Sequence, residues 1–304
     1  MIWVVVLALG VIAIPQTIEW MRHGVSAKRR ADSPGKVKLL SQGETYYEWL
    51  GPERGPVAVC VHGLSTSSYV WRGMAKGLAL LGFRVLVYDH YGRGLSEAVS
   101  GKQDADFFVT QLVDLLVLEK IDEPLTMLGY SMGGAVVAHF AARYPGKVKQ
   151  LILLAPAGMH DIAGGKIKMT RDWPVIGDWL FLLIYPFILR KGIRAEAGLP
   201  SSVEDINALQ HAETDRRGYF PAILSSLRGL LRHKTKEQHL AIAATGLPVL
   251  AIWGEDDDVI PLASKDALAE WHPQAQQTVI PGAGHGLTHT HTDQVLDAIK
   301  ASRG

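Results

Sequence analysis

Thr126-Met127-Leu128-Gly129-Tyr130-Ser131-Met132-Gly133-Gly134-Ala135-Val136-Val137 reads as a strand, a sharp turn and a helix in immediate succession. An apolar run ends at Gly129, Ser131 sits between glycines two positions to either side, and an alanine-rich helical pattern begins at once. Glycine is required at 129 and 133 if the turn is so tight that a Cβ would strike its neighbours, while Ser131 itself takes strained torsions. Such a turn pushes the Ser131 hydroxyl out above a sheet and at the start of a helix, the arrangement called a nucleophile elbow. Gly-x-Ser-x-Gly recurs by chance, so its meaning depends on what the rest of the chain offers: a base, an acid and a loop of backbone donors in the matching order.

Outward from this stretch the chain alternates. Val57–Val61, bounded by Pro56 and Gly63, is a continuous apolar run of the kind that forms a strand buried on both faces, and Arg84–Tyr88 reads as another buried strand. Gln150–Ala155, Val249–Trp253 and Thr278–Ile280 read as further strands, and Val37–Leu40 with Thr45–Trp49 as an antiparallel edge around Gly43. Helical patterns fall between them at Trp71–Leu81, Phe107–Glu119, from Ser131 to about Tyr144, and at Asp293–Ser302. Strands alternating with helices predict right-handed crossovers and a mainly parallel sheet. The rhythm breaks over residues 157–240, where Trp173, Trp179, an apolar block Leu180–Leu189 broken by Pro186, and a helical pattern Tyr219–Arg232 appear without a clear strand. That stretch is expected to be a helical cap whose apolar residues wall a pocket, and the block 180–189 either packs within the cap or dips into a membrane. The expected organisation is 1–24 as a hydrophobic anchor helix, 25–156 and 241–304 as the two parts of the core, and 157–240 as the cap.

Composition excludes some partners. A formal net charge of +1 over 304 residues gives no basis for nucleic-acid binding, which rests on neutralising many phosphates. Cys60 is the single cysteine and reads as a small buried hydrophobe, so no intramolecular disulfide forms. Residues 2–14 are apolar apart from Gly10, and Arg22, His23, Lys28, Arg29 and Arg30 follow. A cleaved signal would carry a basic residue ahead of the run and a small-residue cleavage site after it, and neither is present. A membrane anchor with Trp3 and Trp20 at its ends is expected, Gln16 and Glu19 making it short for a full crossing. The basic flank would then hold the catalytic part on the cytoplasmic face. The competing reading is an ordinary helix packed on the domain.

In an open parallel sheet functional groups gather at the C-terminal strand ends. A serine hydroxyl needs a base near pH 7. His285 follows the last strand between Gly284 and Gly286, free to swing over the sheet, and an imidazole can take the serine proton and return it to a leaving group. Asp257 lies just past the strand ending at Trp253, in Gly254-Glu255-Asp256-Asp257-Asp258-Val259-Ile260-Pro261, where a carboxylate would fix the histidine tautomer. The order Ser131, Asp257, His285 is the one expected after a nucleophile elbow. His62 is expected to order its own loop. His285, His289 and His291 are separated by threonines without an acid or cysteine pattern, so no metal is expected. Gly92 and Gly94 lack a phosphate cradle and shape a turn. Ser96 lacks the flanking glycines of a nucleophile.

Taken together, His62-Gly63, Asp89-His90-Tyr91-Gly92-Arg93-Gly94-Leu95-Ser96, Gly129-Tyr130-Ser131-Met132-Gly133, Gly254 to Pro261 and Gly284-His285 resemble the α/β-hydrolase superfamily over residues 37–304. The resemblance implies an eight-stranded, mainly parallel sheet flanked by helices with an inserted cap. It favours Asp257 as the acid, with Asp256 and Asp258 remaining open, and implies an oxyanion hole from the N–H groups of Leu64 and Met132. Two such donors suit the charge that develops on a carbonyl oxygen, each contributing about 3 kcal/mol to the barrier. Within the superfamily the chain looks like membrane-associated monoacylglycerol lipases and carboxylesterases. The expected activity is hydrolysis of a lipophilic or monoacylglycerol-like ester through an acyl-enzyme, without a cofactor. Hydrolysis of carbon–carbon bonds in ring-fission products and a silent ligand-binding role are the alternatives.

Overall fold

The apolar runs flanking Ser131 become the inner strands of one sheet. The computed structural model describes residues 1–161 and 164–302. Ile162 and Ala163 of the expected cap, Arg303 and Gly304 of the expected second core part, and the side chains of residues 5–9 and of Lys166 lie outside this description. The chain opens with helices α1 (Ile2–Met21) and α2 (Ala27–Ala31) and strands β1 (Lys36–Leu39), β2 (Glu44–Leu50) and β3 (Val57–Val61). It continues through α3 (Arg72–Leu80), β4 (Arg84–Tyr88), α4 (Ala105–Leu118), β5 (Leu125–Tyr130), α5 (Met132–Arg143) and β6 (Val148–Leu154). Five helices follow: α6 (Gly165–Asp172), α7 (Ile176–Ala195), α8 (Ile206–Thr214), α9 (Tyr219–Arg228) and α10 (Lys236–Thr245). The sheet then resumes with β7 (Val249–Gly254), α11 (Ala263–Trp271), β8 (Gln276–Ile280), α12 (Leu287–Thr290) and α13 (Thr292–Ala301).

The eight strands form a single sheet in the order β1-β2-β4-β3-β5-β6-β7-β8. β1, β2 and β4 pair antiparallel at one edge, and every other pairing is parallel. β5 and β7 are buried along their whole length, which is why they read as unbroken apolar runs. Their alternate residues feed separate cores on the two faces. Met127 and Ala251 join the side of α4 and α5, whereas Leu128 and Ile252 join the side of α3 and α13. Because β3, β5, β7 and β8 run parallel, the loops that leave them open on one edge.

Helices α6 to α9 lie between β6 and β7 in sequence, while α10 packs beside the sheet on α5 and α11. α7 differs from the expected break at Pro186, since the helix runs through it. A mid-helix proline forfeits one hydrogen bond and crowds the preceding turn. Here Pro186 is buried with Phe181 and Ile193, and the Phe181–Tyr185 rings stack 4.4 Å apart, so packing holds the helix together across the gap.

α1 likewise continues through Gly10 and Pro15. Its later half packs on α7, where Trp179 Nε1 donates to the Val11 carbonyl at 3.2 Å. Glu19 is buried, accepts from the Gly218 N–H at 2.7 Å and pairs with Arg22 at 2.9 Å. A charged pair tied to the cap in this way is costly to place in a hydrocarbon interior. Among the described residues, no helix is long and apolar enough to cross a membrane.

Candidate active site

Ser131 has φ 54° and ψ −119°, a conformation that a side chain adopts only under strain. The turn is pinned on both sides: Ser131 N–H donates to the Leu154 carbonyl at 3.0 Å, and its own carbonyl accepts from Gly134 and Ala157 at 2.9 Å each. The flanking glycines are sterically compelled. A Cβ on Gly129 would stand 2.5 Å from Val137 Cγ2 and 2.6 Å from the Gly133 carbonyl oxygen, and one on Gly133 would stand 2.1 Å from that of Val61. β5 thus abuts α5 and β3 too closely for any other residue.

The loop after β8 brings His285 over this turn, and its Nε2 lies 3.0 Å from Ser131 Oγ. On the other side of the ring, Nδ1 lies 2.8 Å from Asp257 Oδ2. The remaining carboxylate oxygen, Oδ1, accepts from the N–H groups of Val259 at 2.9 Å and Ile260 at 2.7 Å. Of the three consecutive aspartates, Asp257 is the one that is buried and contacts His285, whereas Asp256 and Asp258 are exposed. With Nδ1–H donating to the buried carboxylate, Nε2 is left as an acceptor for the serine hydroxyl hydrogen. Tyr130 was not singled out in the sequence, yet its hydroxyl donates to the His285 carbonyl at 3.0 Å and its ring lies 5.3 Å from the imidazole. Its place inside the Gly129–Gly133 turn was the available signal.

Leu64 and Met132 flank the serine. Met132 is the first residue of α5, and helix geometry leaves its N–H without an intrahelical partner. Leu64 follows Gly63, where an added Cβ would stand 3.2 Å from Ser131 Cβ. Arg93 braces this loop from within: its guanidinium donates to the Leu64 carbonyl at 3.1 Å, to Gln103 Oε1 at 2.6 Å and to Ser226 Oγ at 2.7 Å. Burial lowers its pKa to about 10, which leaves it charged at neutral pH. The Gly92-Arg93-Gly94 turn therefore ties the loop to α9. His62 accepts from the His90 N–H at 2.9 Å through Nε2, and burial, reinforced by His90, holds its pKa well below the usual value. It is a neutral strut of the loop, and Ser96 donates to the Asp89 carbonyl at 2.6 Å, away from the base.

Ser131 and His285 open on a cavity of about 440 Å³ between the sheet edge and the cap. Ile167, Tyr185, Ile188, Leu189, Ile193 and Leu227 give it apolar walls. Thr66, Glu196, Gln210 and His289 also line it. Burial raises the pKa of Glu196, partly opposed by His285. Burial, together with neighbouring His285, lowers that of His289 to about 4, so His289 is neutral near pH 7. Among the described residues no group of three or more His, Cys, Asp or Glu side chains is placed to hold a metal.

A twisted, mainly parallel eight-stranded sheet with a strained serine at the end of β5 defines an α/β-hydrolase. Residues 52–291 match the hydrolase family described as serine aminopeptidase, S33, and the chain belongs to that family. It is similar to Lipase 1 of Psychrobacter immobilis, 25% identical over 97% of this chain and 90% of the lipase. It is also similar to the pimeloyl-[acyl-carrier protein] methyl ester esterase of Aeromonas hydrophila, 27% identical over 81% of this chain and 95% of the esterase. The crystal structure of a bromoperoxidase from Bacillus anthracis superposes with a TM-score of 0.72 at 20% identity, covering 88% of this chain and 99% of that one, and shows the shared fold.

Proposed function

We propose that this hydrolase is a serine carboxylic ester hydrolase that works through an acyl-enzyme. The observation that carries the reading is the line Ser131–His285–Asp257, with contacts of 3.0 and 2.8 Å, opening on an apolar-walled cavity. Ser131 Oγ adds to the ester carbonyl as its proton passes to His285 Nε2. The resulting imidazolium is stabilised by Asp257, and the oxyanion is met by the N–H groups of Leu64 and Met132. The C–O bond to the alcohol breaks and His285 protonates the departing oxygen. Water, deprotonated by the same imidazole, then releases the acid and restores Ser131. A similarity to a lipase and to a methyl ester esterase supports ester chemistry, and the aliphatic wall supports a lipophilic acyl group.

The proposal includes association with a lipid surface. α1 and the α7 helix it packs on leave Ile2, Trp3, Trp20 and Phe187 exposed, and Lys28 and Arg29 follow on the adjacent α2. Exposed aromatic and aliphatic side chains next to basic residues suit the interface of an anionic bilayer rather than its interior. Sedimentation with anionic vesicles should be reduced several-fold on removal of residues 1–18, which spares Glu19.

Fluorophosphonate labelling tests the chemistry, since the reagent modifies only an activated serine. The intact chain should be labelled at Ser131 and hydrolyse p-nitrophenyl esters, and Ser131→Ala should do neither. Undiminished ester hydrolysis by Ser131→Ala, or turnover of a ring-fission product with no ester hydrolysed, would overturn the reading.

A further inference from the structure

A second cavity, of about 330 Å³, shares no lining residue with the catalytic one among the described residues. The loop after β3 and helix α8 contribute to both. Thr66 and Gln210 line the catalytic cavity, whereas Ser68, Tyr69 and Glu213 line the second, whose other walls come from β2, β4 and the segment after α2.

Charge is unevenly spread over this second lining. Asp89, just past β4, and Glu213 of α8 are each 2% exposed, and Glu48 of β2 is half-buried. Asp89 accepts from the Ser68 and Leu95 N–H groups at 2.7 Å each, Glu213 from the Gly94 N–H at 2.9 Å, and Glu48 from the Tyr46 hydroxyl at 3.2 Å. Burial nevertheless raises the pKa of all three carboxyls. Arg216 stands 3.8 Å from Glu213 but does not line the cavity. The basic side chains on the lining are Arg29 and Arg72, both exposed, and the exposed Asp32 beside them pairs with Lys28. Negative charge therefore lies in the depth of the cavity and positive charge at its rim.

Tyr69 adds an independent observation. It is 7% exposed and lines this cavity, and its hydroxyl has no hydrogen-bond partner. Burial, reinforced by the nearby charge of Glu213, raises its pKa, so the phenol stays protonated. Buried hydroxyls are nearly always satisfied, and one left unmet beside a cavity calls for a group that arrives with a ligand. Among carboxylates that group is a donor, and a donor carrying positive charge also offsets the cost of burying them.

We propose that this second cavity binds a small zwitterion, with a primary ammonium at one end and a phosphate or carboxylate at the other. The three N–H groups of the ammonium meet the Tyr69 hydroxyl oxygen and the carboxylates of Asp89 and Glu213. The anionic end stays at the rim against Arg29 and Arg72, whose planar guanidinium groups suit a phosphate or carboxylate. A quaternary ammonium carries the same charge without an N–H, leaves the phenol unmet, and is disfavoured for that reason. Phosphoethanolamine has the required chemistry, either free or as a lipid headgroup, and α2 brings Arg29 next to the helix proposed to lie on a lipid surface.

Isothermal titration of the intact chain with O-phosphoethanolamine, ethanolamine, inorganic phosphate and O-phosphocholine separates the two ends of the ligand. O-phosphoethanolamine should bind with a dissociation constant below about 1 mM, and the other three about tenfold more weakly or worse. Tyr69→Phe, which removes one oxygen, and Arg72→Ala, at an exposed position, should each weaken it by about fivefold or more while leaving the circular dichroism unchanged. Vesicles of phosphatidylethanolamine and of phosphatidylcholine, matched in anionic lipid, distinguish the sources: stronger sedimentation with the former assigns a headgroup, and equal sedimentation assigns the free molecule. No binding of O-phosphoethanolamine up to about 10 mM, O-phosphocholine bound as tightly, or an affinity unchanged in both variants would overturn the site. Each of these results is independent of whether Ser131 hydrolyses esters.

Discussion

Replacing Asp257 by Asn isolates one step of the chemistry, because the structure fixes how the new amide must sit. Oδ1 of Asp257 accepts two N–H groups, from Val259 at 2.9 Å and Ile260 at 2.7 Å, whereas Oδ2 faces His285 Nδ1 at 2.8 Å. An Asn carbonyl at the Oδ1 position keeps both backbone bonds. Its NH2 must then occupy the Oδ2 position and point at Nδ1. The opposite orientation sets an NH2 against two N–H donors, forfeiting two hydrogen bonds at a cost of about 1–3 kcal/mol for each donor left buried and unmet. In the retained orientation two donors cannot face one another, so His285 shifts its proton to Nε2. Nε2–H then points at Ser131 Oγ, 3.0 Å away, and no lone pair is left to receive the serine proton. A loss of about 10⁴-fold in kcat/KM is expected, equivalent to about 5.4 kcal/mol at 1.36 kcal/mol per decade. Initial rates on a p-nitrophenyl ester provide the assay, with circular dichroism and thermal unfolding to show that the fold persists. Asp256→Asn, at an exposed neighbour, should remain within about threefold of the unmodified protein. Retention of more than a tenth of the activity by Asp257→Asn, or an equal loss in Asp256→Asn, would refute the assignment.

Gly133→Ala places a methyl 2.1 Å from the Val61 carbonyl oxygen and 2.7 Å from that of His62, both backbone atoms at the end of β3 that cannot turn aside. Overpacking of this kind costs about 3 kcal/mol, and a melting temperature lowered by about 5–10 °C is expected; unchanged melting would contradict the close approach. Acid sensitivity follows from His239, 1% exposed, whose pKa burial, aided by His272, lowers to about 3. Since the folded value lies below the unfolded one of about 6.5, stability from this residue is fully present above pH 6.5 and is lost as pH falls toward 3. The loss approaches about 1.4 kcal/mol per pH unit. Urea midpoints between pH 8 and 4.5 should fall less steeply for His239→Gln, and parallel curves would show that His239 is not buried neutral.

How much of this was legible in the chain depended on whether the information was local. β3 and β4 were readable to the residue because both of their faces are buried, so β3 is apolar throughout and β4 is apolar after its half-buried first residue, Arg84. The elbow was readable because its constraints are steric and fall within five residues. The acid was only partly readable. Three aspartates in succession are chemically identical in sequence, and what separates them is a loop in which the Asp256 N–H donates to the Ala283 carbonyl while Asp257 turns inward to cap Val259 and Ile260. Propensity misjudged α7, because proline is unfavourable in a helix interior unless tertiary packing compensates, and that packing is set by Tyr185 and Phe220 from different helices.

The polar lining of the catalytic cavity had no local signature at all. Thr66, Glu196 and Gln210 come from the loop after β3, the end of α7 and the middle of α8, and none sits in a motif. The fold converges them by joining the cap to the loops through buried polar contacts. Arg93 links the Leu64 loop to Ser226 of α9, and Glu213 of α8 accepts from the Gly94 N–H at 2.9 Å. α8 is thereby held against the same turn that carries Arg93, so Gln210, one helical turn before Glu213, is held beside the loop that carries Thr66. The sheet alone fixes Ser131, Asp257 and His285, whereas the rest of the cavity wall depends on the cap being seated. Chemistry and selectivity are consequently separable in this molecule: changes to the cap latch at Glu213 act on which ester is accepted before they act on whether Ser131 can attack.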